Sequence, residues 1–260
     1  MKSPLVITRG WETVAKSNPK YARMLRRRGK ILRNLRGYRR QVDLLESLLR
    51  IAVTRRGRIL DVACGFGFQL LELSARGWKD IWGLEIDPNL SHLMAEAATQ
   101  FGLRVGAQVG DACAIPFADG SFDAVMSKNF FEHVYDFDRT LQEQARVLKP
   151  KGRLIILDGN SLYPKALFDL LVLYPIRTRG QRGGLKWLFT KHRVERNLYG
   201  YLHQGRDEDI HTPRWWRYRI ESTRYLRLKD STTTGALAYP WLPKGLAQFI
   251  GACVVVAEKR

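Results

Sequence analysis

Three carboxylates close three successive apolar runs: Asp61 after "RIL", Glu85 after "IWGL" and Asp111 after "VGAQVG". A Cys-Gly-Phe-Gly turn (Cys64–Gly67) follows the first. Acids at strand ends around a glycine-rich turn suit a ligand that presents hydroxyls, amines or a cation. A nicotinamide or flavin turn has a third glycine, which lets helix and strand pack closely; Leu70 stands there instead. No Gly-Lys-Ser/Thr follows, which excludes a Walker phosphate loop. Asp61 would repel a pyrophosphate, and it suits a ligand with a cationic group. Glu85 lies 24 residues beyond Asp61, where a carboxylate can accept hydrogen bonds from both hydroxyls of a ribose. At Asp111-Ala112 an acid and a backbone amide could together read an adenine edge.

A second chemical stretch is "SKNFFEHVYD" (Ser127–Asp136). His133 could act as a general base with Glu132 as its orienter, or the Glu132-His133 pair could simply pack and cap the segment. Lys128 reads as a solvated rim residue. Asp158, ending another apolar run, could touch a substrate or cap its own turn with Asn160. His192, His203 and His211 receive no role. Cys64, Cys113 and Cys253 lie far apart, and no His/Cys/Asp set has metal-ligand spacing, so no metal is expected and the thiols are read as reduced.

These residues must be positioned by alternating strands and helices. Gly57–Val62 reads as a short buried strand and Phe68–Gly77 as a helix with a glycine stop. Asp80–Asp87 is the next strand, and Pro88 suits the first turn of a helix over Pro88–Gly102. Strands follow over Leu103–Ala112 and Ser121–Lys128, then a helix over Asp138–Gly152 ending in Lys-Pro-Lys-Gly, then a strand over Arg153–Gly159. Such alternation implies an α/β, doubly wound parallel sheet. A basic helix, roughly Tyr21–Arg50, precedes it, with Leu25, Leu32, Leu35, Val42, Leu45 and Leu49 at near-heptad spacing. After it come an irregular, aromatic and basic insertion (Ser161–Gly205), a helix over His211–Thr223, and strands over Tyr225–Lys229 and Gly251–Lys259. The expected organisation is a basic extension (1–56), a cofactor-binding core (57–160), an insertion or substrate lid (161–210) and the C-terminal part of the same domain (211–260).

At 260 residues and 45% hydrophobic, the chain can bury a substantial core. Its net charge of +19 is unevenly spread. Residues 1–56 hold 16 Lys/Arg against 3 Asp/Glu, residues 57–160 hold 10 against 14, and residues 161–260 hold 18 against 8. A slightly acidic centre between basic flanks points to an anionic partner. The apolar stretch Ala166–Ile176 is too short to span a bilayer and carries Asp169. The N-terminus lacks the apolar centre of a signal peptide, so the expected location is cytoplasmic, with peripheral membrane association as an option.

The succession "ILDVACGFG", "GLEIDP", "GDACAIPFADGSFDAVMSKNFFEHVYD" and "RVLKPKGRLIILD" resembles the class I S-adenosylmethionine-dependent methyltransferases, in particular the small-molecule group that includes quinone methyltransferases. Order and spacing agree over roughly Arg58–Asp158. The resemblance implies a Rossmann-like sheet of seven strands with the last antiparallel, and S-adenosylmethionine as cofactor. It implies that Asp61, Ala63, Gly65 and Gly67 hold the methionine end, Glu85 the ribose, Ile86 a flank of the adenine, and Asp111 with Ala112 the adenine amine. Asn129 would floor the methyl-transfer site. Two positions depart from the family. Ala63 stands where a glycine is usual, a change tolerated if φ there is negative. Phe66 stands where a small residue or Thr is usual, so its ring would project beside the cofactor as a lid, or else pack under the basic helix.

For such an enzyme the sulfonium already activates the methyl group, so catalysis is mostly alignment, with a base needed only if the acceptor must lose a proton. The acceptor then depends on the flanks. Trp and Arg/Lys pairing fits a membrane surface and a small amphiphilic or lipid-linked acceptor. Interleaved arginines and aromatics in Arg23–Arg40 and Arg214–Lys229 fit RNA, although the Asn/Asp-Pro-Pro-Tyr-type tetrapeptide of base-amine methyltransferases is missing. The same charges would also serve as solvated helix surface with Trp215 and Trp216 half packed. A non-catalytic scaffold on the same fold is a further alternative, against which the intact acid-glycine set argues.

Overall fold

The computed structural model of the chain describes residues 35–159, 194–196, 202–204, 212–234 and 252–260. Its strands are β1 (Arg58–Val62), β2 (Asp80–Glu85), β3 (Gly106–Val109), β4 (Phe122–Lys128), β5 (Leu148–Asp158), β6 (Val194–Arg196), β7 (Leu202–Gln204), β8 (Leu226–Thr233) and β9 (Cys253–Lys259). The helices are α1 (Leu35–Ala52), α2 (Phe68–Ala75), α3 (Pro88–Gln100), α4 (Phe137–Val147) and α5 (Pro213–Glu221). Seven strands form one sheet in the order β3-β2-β1-β4-β5-β9-β8, and β6 pairs with β7 separately. β1 runs parallel to β2 and β2 to β3, while β8 and β9 are antiparallel. This is the Rossmann-like, seven-stranded α/β fold with an antiparallel last strand. By packing, one unit comprises residues up to Met126 with Glu143–Arg153, and the other Ser127–Gln142 with Leu154–Arg260.

In the first unit, β1 and β2 are nearly continuous aliphatic runs because both of their faces are covered. Ile59, Leu60, Val62, Ile81 and Leu84 are all buried. α1 joins this core through Val42, Leu45 and Leu49, the lower part of the heptad pattern. The expected start near Tyr21 lies outside the described residues. Between those apolar positions sits a buried acid, Glu46. Its Oε1 accepts from Arg50 Nη2 at 3.0 Å, Arg55 Nη2 at 3.2 Å and Trp78 Nε1 at 3.3 Å, and its Oε2 accepts from Arg76 Nη1 at 2.9 Å. Arg76 also reaches Asp43 at 2.7 Å and Glu72 at 3.0 Å. The C-terminal half of the basic helix is thus pinned to α2 and to the residue ahead of β2.

Burial alone would raise the Glu46 carboxyl, but the bonds from Arg76, Arg50 and Trp78 outweigh it and hold the pKa down at about 2, against an ordinary 4.5. An acid depressed in this way contributes stability that is complete above its unfolded value and lost as pH falls through the folded one. The thermal midpoint should therefore drop as pH falls from 4.5 towards 2. Glu46→Gln should flatten that decline at a cost of up to about 3 kcal/mol at neutral pH. An unchanged acid limb in this variant would refute the assignment.

Several element ends differ from the sequence expectation. α4 stops at Val147, and Leu148–Gly152 is extended as part of β5 rather than helical. Pro150 explains this, since it cannot continue a helix and biases Lys149 toward an extended backbone. Lys151 then turns through φ 63, and a Cβ on Gly152 would lie 2.8 Å from the Lys149 carbonyl. The third strand is Gly106–Val109, shorter than Leu103–Ala112, because Gly110 donates to the Glu85 carbonyl (3.1 Å) and the chain then turns. α2 and α3 end as expected, with Gly77 at φ 95 and Gly102 at φ 61.

In the second unit, Thr212 caps α5, its hydroxyl accepting from the Trp215 amide at 3.0 Å, and Pro213 opens the first turn. Trp216 is fully buried, edge-on to Phe131 with centroids 5.0 Å apart. Trp215 is half-buried against Phe137 at 5.2 Å. Arg219 lies over the Phe137 ring at 4.4 Å and pairs with Asp138 in the first turn of α4. The "RWWRYR" stretch therefore sends one Trp into the core. Its outward face is Arg214, Arg217, Tyr218 and Glu221, the last paired with Arg217 at 3.8 Å. β8 forms the sheet edge and exposes Arg227, Lys229 and Asp230, the charged edge that discourages pairing with another chain. No described helix is long and apolar enough to cross a membrane. Of the insertion, only β6 and β7 lie among the described residues.

Candidate functional site

The predicted residues divide between the two units. In the first, β1 ends in Asp61 and Val62, and the chain turns through three left-handed residues: Ala63 (φ 58), Gly65 (φ 58) and Gly67 (φ 66). The negative φ under which an alanine is readily tolerated is not found here. A Cβ in this region costs about 1–2 kcal/mol, and tertiary contacts hold the alanine there. The Cys64 amide donates to the Leu84 carbonyl at 3.1 Å, and the Gly67 amide to the Cys64 carbonyl at 3.0 Å. Ala63→Gly relieves the Cβ strain but adds freedom to the unfolded chain. A net gain of about 1 kcal/mol is expected, read from the denaturation midpoint; a loss would contradict the strain.

Gly67 is the N-cap of α2, and a Cβ built on it would fall 2.1 Å from Met94 Sδ. Gly83 in β2 is equally constrained, its Cβ meeting Cys64 Sγ at 2.6 Å and Met94 Cε at 2.7 Å. The turn therefore rests directly on β2 and α3, and no local pattern marks Gly83 or Met94 as its support. The Cys64 thiol approaches Met94 Sδ at 3.8 Å. Burial, with Asp61 and Glu85 adding to it, holds this thiol far above the ordinary range, so Cys64 is a packing group and not a nucleophile. Burial, with Asp158 adding to it, likewise pushes Cys253 up to about 12. Phe66 is buried, with its ring 5.7 Å from that of Phe68. The projecting lid is therefore corrected to a packed ring.

Glu85 ends β2 and is 7% exposed. Its Oε2 accepts from the Gly65 amide at 2.8 Å and its Oε1 from the Asp87 amide at 3.1 Å. Burial raises its pKa, and these amide bonds oppose the shift. The carboxylate ties the glycine turn to β2 and accepts from the Ile86 amide as well, which leaves part of its acceptor capacity open. Asp61 is buried and accepts from Gln69 Nε2 at 3.4 Å. Asp111 Oδ1 accepts from the Cys113 amide at 2.8 Å, and its carbonyl from the Ala114 amide at 3.0 Å, a tight turn after β3. Ile86 and Ala112 are half-buried. The structure thus brings Asp61, Ala63, Gly65, Gly67, Glu85, Ile86, Asp111 and Ala112 together within the first unit. The three charged residues of the set are all acids, as suits a ligand offering a cation, hydroxyls and an amine.

In the second unit Asn129 directly follows β4. It is exposed, has φ 48, and its amide donates to the Leu157 carbonyl at 2.8 Å. A 3-10 turn (Phe131–His133) follows, with the His133 amide donating to the Phe130 carbonyl at 2.8 Å and the His133 side chain exposed. The side chain of Glu132 lies outside the described residues. Asp158 is buried, and its Oδ1 accepts from the Gly159 amide at 3.0 Å, which matches the turn-capping reading; Asn160 is outside the described residues. Lys128 is half-buried.

Residues 60–156 match the family model described as a methyltransferase domain. The chain is 37% identical over 140 residues to the demethylmenaquinone methyltransferase of Thermus thermophilus, covering 53% of this chain and 60% of that protein. It is 31% identical over 161 residues to the ubiquinone/menaquinone biosynthesis C-methyltransferase UbiE of Citrifermentans bemidjiense, covering 55% of this chain and 68% of that one. The chain thus spans about two thirds or less of these relatives. Among solved structures it resembles the PH0226 protein of Pyrococcus horikoshii, with a TM-score of 0.56 and 21% identity, covering 86% and 91% of the two chains.

Proposed function

The chain belongs to the class I S-adenosylmethionine-dependent methyltransferases, and on that premise we propose that it methylates a small lipophilic acceptor of the quinol class. The observation that carries the reading is the bonding of Glu85: a buried carboxylate fixed at the end of β2 by the Gly65, Asp87 and Ile86 amides, directly beside the glycine turn. An acceptor fixed there suits a ribose hydroxyl. S-adenosylmethionine, the cofactor of the family, supplies a methyl group already activated on a sulfonium. Asp61 and the turn Ala63–Gly67 are assigned to its methionine end, Glu85 to the ribose, Ile86 to a flank of the adenine, and Asp111 with Ala112 to the adenine amine. The quinone names of the relatives support the acceptor class.

Two residues are assigned to the acceptor. Asn129, exposed and held in the left-handed region by its amide bond to Leu157, is assigned the floor of the transfer site on the resemblance to the family. His133 is assigned to take the hydroxyl proton of the acceptor, which raises electron density on the ring carbon; that carbon gives up its own hydrogen as a proton once the methyl is attached, so the product gains one CH2. The assay is incubation with S-adenosylmethionine and a chemically reduced demethylnaphthoquinol. A product heavier by one CH2 supports the proposal, and turnover confined to RNA would replace it.

The outward face of α5 and the edge of β8, both rich in Arg and Lys, favour contact with an anionic membrane. The protein should sediment with phosphatidylserine-containing vesicles at low salt. It should release as the screening length falls from about 30 Å at 0.01 M to about 3 Å at 1 M salt. Indifference to vesicles with salt-sensitive retention on RNA would favour a nucleic-acid substrate.

A further inference from the structure

The loop after Asp111 is held by a pair of side chains that no catalytic argument uses. Arg146, near the end of α4, places all five of its N–H donors. Nη2 donates to the Ile115 carbonyl at 2.7 Å, and Nη1 to the Phe117 carbonyl at 2.9 Å and to Asp119 Oδ1 at 2.7 Å. Nε and Nη2 reach the two oxygens of Glu143 at 2.9 and 2.8 Å. Glu143 is buried, and its Oε2 also accepts from the Ile115 amide at 2.9 Å. The Gly120 amide closes the loop onto the Arg146 carbonyl at 3.1 Å.

Ile115 is therefore gripped at both its N–H and its carbonyl. At the entry to the turn, the Gly110 amide is fixed to the Glu85 carbonyl at 3.1 Å. A Cβ on Gly110 would meet Pro116 at 2.8 Å, so entry and exit also pack on each other. Between these anchors lies the short turn Asp111–Ala114, and the placement of Asp111 and Ala112 follows from them. A planar guanidinium with a bidentate carboxylate fixes direction as well as distance, which a lysine cannot do.

We propose that Arg146 and Glu143 are positioning residues for base recognition, setting the Asp111–Ala112 turn so that it accepts the adenine amine and rejects a ring bearing a carbonyl there. The inference rests on the cofactor assignment above. Neither side chain is assigned contact with the cofactor; both act through the turn.

The test is calorimetric binding of S-adenosylhomocysteine and of its inosine counterpart, in which a carbonyl replaces the adenine amine. The wild-type protein should prefer the adenine form by about tenfold or more, the worth of one charged hydrogen bond. Arg146→Lys and Glu143→Gln, folded by circular dichroism, should reduce that ratio below about threefold. Asp119→Ala, at the exposed end of the clamp, leaves the core untouched and should reduce it less. A full wild-type ratio in folded Arg146→Lys and in Asp119→Ala would overturn the positioning role while leaving the cofactor assignment standing. Wild-type binding without base preference would overturn it too, because nothing would then be positioned. Binding of neither ligand to the wild type would defeat the cofactor assignment itself, and the inference with it.

Discussion

Replacing Glu85 with alanine weakens S-adenosylhomocysteine binding by roughly ten- to hundredfold, the loss of charged hydrogen bonds worth about 1.5–3 kcal/mol. Two effects combine in that figure. The ribose hydroxyls lose their acceptors, and the Gly65 amide loses the bond that ties the glycine turn to β2. Glu85→Gln separates them, because the amide oxygen still accepts one bond while the charge is gone. The raised pKa of Glu85 gives the pH dependence a sign. Burial favours its protonated form, so the ionised acceptor is lost on acidification at a pH above the ordinary glutamate range of 4.5. Cofactor affinity should fall on acidification, and this fall should be missing from Glu85→Gln. Calorimetry across pH reads both effects; unchanged affinity in Glu85→Ala would dissolve the ribose assignment.

The larger expected effect is on rate. His133→Gln should lower kcat by about 10²- to 10⁴-fold, the usual contribution of a positioned general base. S-adenosylhomocysteine affinity should stay the same, since His133 is given no contact with the cofactor. A glutamine of similar size at an exposed position leaves folding intact, so the kinetic loss can be read directly. A variant within about tenfold of wild type would return Glu132-His133 to a packing and capping role.

Much of the fold is legible in the sequence because β1 and β2 are near-continuous aliphatic runs and α2 and α3 carry glycine stops. The strand-end acids are legible too, since an acid closing an apolar run has few other places to go. Backbone sign is harder to read. Alanine at position 63 is unstrained only at a negative φ, yet the amide bonds of Cys64 and Gly67 and the support of Met94 set it at 58. Phe66 looks like a projecting ring by comparison with the small residue usual there, and burial against Phe68 is a tertiary fact with no local signal. The same holds for Glu46 and for Arg146 with Glu143. Their partners lie up to 32 residues away along the chain, beyond any helical or strand period. Trp215 and Trp216 show the converse: adjacent residues with the same composition signal, separated by helix geometry into a half-buried and a fully buried ring.

Incubating the protein with methyl-labelled S-adenosylmethionine and a cell extract, then separating lipid, RNA and protein, reads the proposed methyl transfer to a lipophilic small molecule. Label is expected in the lipid-extractable fraction, reduced in Glu85→Ala and in His133→Gln. Label confined to the RNA or protein fraction, or no transfer by a protein that fails to bind S-adenosylhomocysteine, would rule the proposal out.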